Sequence, residues 1–295
     1  MLSLKSPARA DQVYRPALAL AQQANRAQDC ARCHLPVEAA SADGACWACH
    51  GLATLGESAA HGEPETVYGT RSRSGCAYPV KKVEGFGTPA LCKSCHDGTH
   101  GQSGAFAAWS KTDYKDRNIT CIDCHMEGQG GATVGHRFSV GDADWLERSL
   151  ELSIRSPRSG SVEVRAMNGG AGHGVLPEAC ELRELRVTVD FIDAQGRSLR
   201  HLIAQTFGCP LSGRAGEPLL HFEAASTAPS TRLEPSIALT WSFHPSEGWK
   251  IAQARFEYYR VAPRFINRFP HAQEAMKPVI FGQVELRRPA PERRR

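Results

Sequence analysis

Four times in the chain two cysteines stand three positions apart with a histidine directly after the second. They are Cys30, Cys33 and His34; Cys46, Cys49 and His50; Cys92, Cys95 and His96; and Cys121, Cys124 and His125. Paired thiols at this spacing can clasp zinc, cycle as a redox dithiol, or form two thioethers to a porphyrin whose iron the next imidazole binds. A zinc ribbon has no reason to place histidine after every pair, and a redox dithiol would stand once beside a βαβ pattern that is not visible here. With 12 histidines in 295 residues, four such coincidences would arise by composition roughly once in several hundred thousand chains. The motifs therefore imply four covalently bound haem c groups. The eight cysteines are their thioether attachments, and His34, His50, His96 and His125 the proximal iron ligands.

An iron so held takes a second axial ligand. Beyond the motif histidines, the first half of the chain keeps His61, His100 and His136, and the next along is His173 in "NGGAGHGVLP". Four candidates for four irons, all in glycine-rich stretches, favour bis-histidine ligation, although each alone could be a surface histidine. Methionine is the competing distal ligand. Met1 is terminal and Met126 is tied beside His125, which leaves Met167 and Met276. His201, His221, His244 and His271 read as sheet-surface or core histidines.

The elements that must carry these groups divide the chain in two. Residues 1–150 hold nine of the 11 cysteines and seven of the 12 histidines. From Cys30 to His136 there are 107 residues, about 27 per haem, too little protein to bury four macrocycles separately, so the haems must serve as the core. Short helices are expected at 16–27, 105–111 and 142–149, among loops rich in glycine and proline. After residue 149 the period changes to two. "LELSIR" and "SVEVRAM" flank the turn "SPRSG", and "LRVTVDFI" and "RSLRHLIAQTF" flank "DAQG"; "SIALTWSFH", "WKIAQARFEYYRV" and "PVIFGQVEL" supply further strands. The expected fold is multidomain: a haem-rich, mostly irregular or short-helical cytochrome domain over 1–148, an antiparallel immunoglobulin-like β-sandwich over 149–288 and a basic tail over 289–295. Cys180 and Cys209 flank successive strands and are candidates for a disulfide. Cys76 is left over as a free thiol, an intermolecular link or an unusual haem ligand.

The formal charge of +4 is offset by about −4 once four ferric haems with two propionates each are counted. It is therefore no argument for nucleic acid. No apolar run reaches transmembrane length. Haem attachment of this kind takes place outside the cytoplasm, so a periplasmic or extracellular, exported protein is expected. Ala8-Arg9-Ala10 before Asp11 has the form of a signal-peptidase site, and reads either as the tail of a truncated export signal or as alanine-rich sequence.

"LCKSCHDGTH", "AAWSKTDYKDRNITCIDCHM", "GHRFSVGDADWLERSLELSI" and "NGGAGHGVLPEACELRELRVTVDFIDAQGRSL" together resemble the multihaem c-type cytochromes of bacterial respiration, over roughly residues 90–261. The resemblance implies that His136 and His173 are axial ligands and that His61, in "GLATLGESAAHGEP", follows the looser habit of a histidine downstream of "CHG". Pro177-Glu178-Ala179-Cys180 departs from the Pro-Thr-Gly continuation usual in that family.

Two functions are open at this point. In the leading one, an electron carrier rather than a catalyst, closely stacked bis-histidine haems pass electrons between redox protein partners such as a quinol oxidase, a dehydrogenase or a terminal reductase. Assembly into an oligomer or filament, with a neighbour donating a histidine, would extend that role. In the other, a multihaem oxidoreductase keeps one haem open for a small inorganic nitrogen or sulfur compound, with Cys76, Tyr78, Lys81 and Lys82 near its pocket.

Overall fold

The computed structural model describes residues 14–25, 49–56, 59–63, 66–72, 78–97, 104–126, 143–157, 160–176, 181–209, 211–220, 223–224, 231–245 and 247–288. The chain divides into two compact units: Met1–Phe138 with Pro210–Ala228 and Arg264–Gln273, and Ser139–Cys209 with Pro229–Pro263 and Glu274–Arg295.

In the first unit, α1 (Tyr14–Gln23) stops where Asn25 takes a left-handed backbone, a conformation that asparagine tolerates at helix ends. The strands β1 (Leu52–Thr54) and β2 (Ala60–His61) pair antiparallel, with Leu52 opposite His61. The strands β3 (Val67–Gly69) and β4 (Val80–Lys82) pair in parallel. Four short helices follow: α2 (Pro89–His96), α3 (Ala105–Trp109), α4 (Asp113–Asp116) and α5 (Cys121–His125). Trp109, the last residue of α3, donates from its indole to the Ile119 carbonyl beyond α4 at 2.9 Å. Two later segments belong to this unit and are stapled together by Arg268. Its guanidinium grips both carboxylate oxygens of Glu223, at 2.6 and 2.7 Å, and the Pro218 carbonyl at 2.9 Å.

The second unit opens with α6 (Ala143–Ser149), which runs directly into β5 (Leu150–Arg155). Strands β5, β6 (Val162–Asn168) and β9 (Ala238–Phe243) form one antiparallel sheet. Strands β11 (Val279–Arg287), β10 (Ile251–Tyr259), β7 (Glu184–Ile192) and β8 (Ser198–Phe207) form another, in that order. Alternation explains which residues meet. Val162, Val164 and Ala166 of β6, Leu185, Val187, Val189 and Phe191 of β7, and Ala252, Ala254 and Phe256 of β10 all lie in one core. Phe256 stacks on Phe281 at 5.0 Å between ring centres. The opposite face of β7 and β10 is a ladder of paired charges: Arg255 binds Asp190 and Glu257 at 2.7 and 3.0 Å, and His201 lies 2.9 Å from Asp190. His201 is thus a sheet-surface histidine.

These observations correct the expected fold class. The chain is mostly β-sheet with a few short helices, not a haem-rich, mostly irregular or short-helical domain joined to an immunoglobulin-like sandwich. The physical reason lies partly in segments that their composition marks as loops. Val67-Tyr68-Gly69 and Val80-Lys81-Lys82 are too short to show a period, yet their backbone groups pair once the chain brings them together. Each helix among the described residues is also ten residues long or shorter. No helix among the described residues is long and apolar enough to cross a membrane.

Candidate haem-attachment site

The third and fourth motifs sit on helices whose starts are written into the residues around them. Thr88 caps α2, accepting from the Ala90 amide at 3.3 Å, and Pro89 occupies the first turn, where its missing N–H costs nothing. Thr120 and Asp123 form a capping box at the start of α5; the Asp123 carboxylate accepts from the Thr120 amide at 2.7 Å. Asp123 thus has a structural task inside C-x-x-C. On a helix, positions three apart share a face. Cys92 and Cys95, and likewise Cys121 and Cys124, therefore project to the same side, with His96 and His125 one position on. Two thiols on one face followed by an imidazole suit attachment to two edge positions of one porphyrin and ligation of its iron. Among the described residues, no three or more His, Cys, Asp or Glu side chains converge as a metal-ion cage. A haem asks for none, because the porphyrin supplies four of the iron's ligands.

The motifs are brought together within the first unit. The Cys92 thiol donates a hydrogen bond to Cys121, and Cys49 and Cys95 lie close enough to act on Cys92 electrostatically. Thiols of the second, third and fourth motifs thus share one neighbourhood. The shared hydrogen bond, then burial, pushes the Cys92 thiol well above its ordinary range, while the same bond holds Cys121 below it. Ser94, inside the third motif, adds a tether. Its hydroxyl accepts from the Gly56 amide at 3.1 Å, and so joins α2 to the turn that follows the second motif.

His50 is helical and faces Phe86 with ring centres 5.0 Å apart. Its Nδ1 lies 2.7 Å from the carbonyl oxygen of Tyr68. A carbonyl only accepts, so Nδ1 carries the proton and the neutral ring keeps its lone pair on Nε2, the atom an iron would take. Tyr68 is itself fixed: it is 5% exposed, and its hydroxyl accepts from the Glu63 amide at 3.0 Å. A Cβ on Gly62 would overlap the Tyr68 hydroxyl, so that position requires glycine.

The remaining predicted residues are placed as follows. His61 lies on β2 opposite Leu52, with its pKa lowered by desolvation against an opposing backbone hydrogen bond at Gly51. His173 belongs to the second unit. Asn168, 1% exposed, donates to the carbonyls of His173 and Leu233 at 2.9 and 3.1 Å and accepts from the Ala171 amide at 3.0 Å, fixing the loop backbone. Met167 accepts a hydrogen bond from Arg165 at 3.2 Å, and Met276 is buried. Lys81 is paired with Glu63 at 2.8 Å. Cys30, Cys33, His34, Cys46, Cys76, His100, His136 and Cys180 lie outside the described residues, and with Cys180 the proposed link to the buried Cys209. Sequence reasoning passed over Ser94, Tyr68, Gly62 and Asn168. Only Asp123 carried a readable signal, the Thr-x-x-Asp spacing of a capping box.

No protein-family model and no curated protein matches the chain. Among solved structures, the chain is similar to a penta-haem cytochrome c552 from Thermochromatium tepidum, at TM-score 0.74 and 19% identity over 97% of this chain and 93% of that one. An ApaA protein structure from Bordetella pertussis overlaps 48% of this chain and 95% of its own at 13% identity and TM-score 0.24, too low to carry an argument. At 19% identity the first likeness is one of fold: the chain shares the fold of a multihaem c-type cytochrome.

Proposed function

We propose that the chain is an exported multihaem c-type cytochrome that carries electrons, with four haems attached at Cys30 and Cys33, Cys46 and Cys49, Cys92 and Cys95, and Cys121 and Cys124. The observation that carries this reading is that the third and fourth motifs each lie on a capped helix that sets both thiols on one side with the histidine next along, within one unit. Haems attached within one unit of this size are neighbours, as transfer between haems needs, and a zinc site would not call for a histidine after every thiol pair. The likeness in fold to a penta-haem cytochrome supports it; the count of four follows from the four motifs present here.

Bound haem supplies one-electron cycling of its iron. The chain's residues do the rest. The capped helices present each thiol pair on one side, and the Tyr68 carbonyl orients His50 and raises the basicity of its Nε2. His61, His100, His136 and His173 serve as distal ligands, so that no iron is left open. Attachment outside the cytoplasm makes the protein periplasmic or extracellular, with a quinol oxidase, a dehydrogenase or a terminal reductase as redox partners. Lys81, which an open-site enzyme would use in a pocket, is already paired with Glu63. Electron paramagnetic resonance of the oxidised holoprotein tests the reading. Low-spin signals throughout, with poor carbon monoxide binding after reduction, are expected, and His61→Ala, His136→Ala or His173→Ala should each turn one haem high-spin. Stoichiometric carbon monoxide binding by the unaltered protein, with steady turnover of nitrite or hydroxylamine, would overturn it.

A further inference from the structure

We infer that Asn168 is the positioning residue of an iron ligand: it holds the loop that carries His173 in one conformation, so that the second unit presents a preset axial imidazole to a haem. The inference rests on the reading of His173 as a distal ligand given above, and adds what sets that ligand in place.

The loop is built by the second unit, whose core consists of its own side chains, so its shape does not wait on haem. It leaves β6 at Asn168, whose carbonyl accepts from the Ser236 amide at 2.8 Å. It returns at Val175, whose amide donates to the Leu233 carbonyl at 3.0 Å, and Leu176 next along sits in the core. The Gly169 and Gly170 amides both donate to the carbonyl of Ser149 at the end of α6, at 3.1 and 3.0 Å. Gly170 passes so close to that helix end that a Cβ there would collide with the Arg148 carbonyl oxygen. Inside the loop lies the side chain of Asn168, 1% exposed. An asparagine amide offers two N–H donors and a carbonyl acceptor. Here the donors reach the His173 and Leu233 carbonyls, at 2.9 and 3.1 Å, and the oxygen accepts from the Ala171 amide at 3.0 Å. One buried side chain thus joins the peptide of His173 to both the start of its loop and the strand segment beside it.

The loop also orients the ring. His173 Nδ1 lies 3.0 Å from the Gly174 carbonyl oxygen. A carbonyl only accepts, so Nδ1 carries the proton and the neutral ring keeps its lone pair on Nε2, the atom an iron would take. Gly174 is buried, and a Cβ on it would come within 2.8 Å of a Glu234 carboxylate oxygen. The peptide that aims the imidazole is therefore itself held. Supporting bonds of this kind keep a ligand within about 0.5 Å of its productive position. They also spare the ordering that a mobile loop would undergo on ligation.

Electron paramagnetic resonance of the oxidised, matured protein tests the inference. Asn168→Ala should convert one low-spin haem partly or wholly to high-spin, and added imidazole should restore the low-spin signal, which the loss of a merely structural residue would not allow. His173→Ala should convert the same haem, and the Asn168→Ala/His173→Ala chain should show no second one. Far-ultraviolet circular dichroism reports whether the sheets of the second unit persist. Where Asn168→Ala does not fold, Gly174→Ala, which shifts the orienting peptide without opening the core, should give the same imidazole-restored high-spin haem. A folded Asn168→Ala or Gly174→Ala protein with every haem low-spin, while His173→Ala turns one high-spin, overturns this inference and leaves the ligand reading standing. A second high-spin haem in the double variant overturns it as well. If His173→Ala itself leaves every haem low-spin, the ligand reading falls, and this inference with it.

Discussion

His50 points its Nδ1 at the Tyr68 carbonyl oxygen, 2.7 Å away, across a gap of 18 positions in the chain. That contact sets the tautomer of a predicted iron ligand, and its position depends on Gly62, which leaves room for the Tyr68 ring. Gly62→Ala should displace Tyr68, lengthen the His50 hydrogen bond and make the imidazole a weaker base. Ferric iron is then less favoured, so the reduction potential of one haem should rise while the others stay in place. Spectroelectrochemical titration checks this, and an unchanged set of potentials would contradict it.

The start of the fourth-motif helix depends on two side chains. Thr120→Ala removes a helix cap and should cost about 1 kcal/mol. Asp123→Ala removes the reciprocal bond to the Thr120 amide and should act in the same direction. Both should lower haem attachment at Cys121 and Cys124 more than at the other motifs, as read by mass spectrometry of haem peptides.

Acid should loosen the staple of the first unit. The Arg268 guanidinium holds the Glu223 carboxyl below its ordinary value. A depressed carboxylate stabilises the fold fully above its unfolded-state pKa, and that contribution is lost as the pH falls through the lower folded-state value. Glu223→Gln should therefore destabilise the protein by about 1 kcal/mol near neutral pH. Its stability should converge on that of the unaltered chain below the ordinary carboxylate range. Urea melts at several pH values measure both.

The second unit has a core made of its own side chains, so its cost of truncation follows ordinary packing. Phe256→Ala, at a fully buried ring stacked on Phe281, should cost about 3–5 kcal/mol. Guanidinium unfolding followed by far-ultraviolet circular dichroism would report it.

How much of this was legible depended on whether a signal was local. The hairpin of Leu150–Arg155 with Val162–Asn168 and the turn at Asp193–Gly196 were readable because alternation and turn residues lie side by side. The helix at Ala105–Trp109 was also readable. The parallel pairing of Val67–Gly69 with Val80–Lys82 was not, since two three-residue strands carry no period. The thiol positions were plain from spacing, but the meeting of Cys92 with Cys121 was not, because it arises from packing of separate helices. The same holds for Ser94 and Tyr68. A serine inside a motif and a tyrosine in a loop announce nothing until the chain brings Gly56 and His50 to them.

The central claim, that the four C-x-x-C-H motifs carry covalent haem, is tested most directly by the denatured mass of the exported, matured chain. The account predicts a mass equal to the polypeptide plus four haems, with thioether-linked haem peptides at Cys30 and Cys33, Cys46 and Cys49, Cys92 and Cys95, and Cys121 and Cys124. Fewer than four haems under full maturation, or an unmodified chain that binds zinc instead, would contradict it.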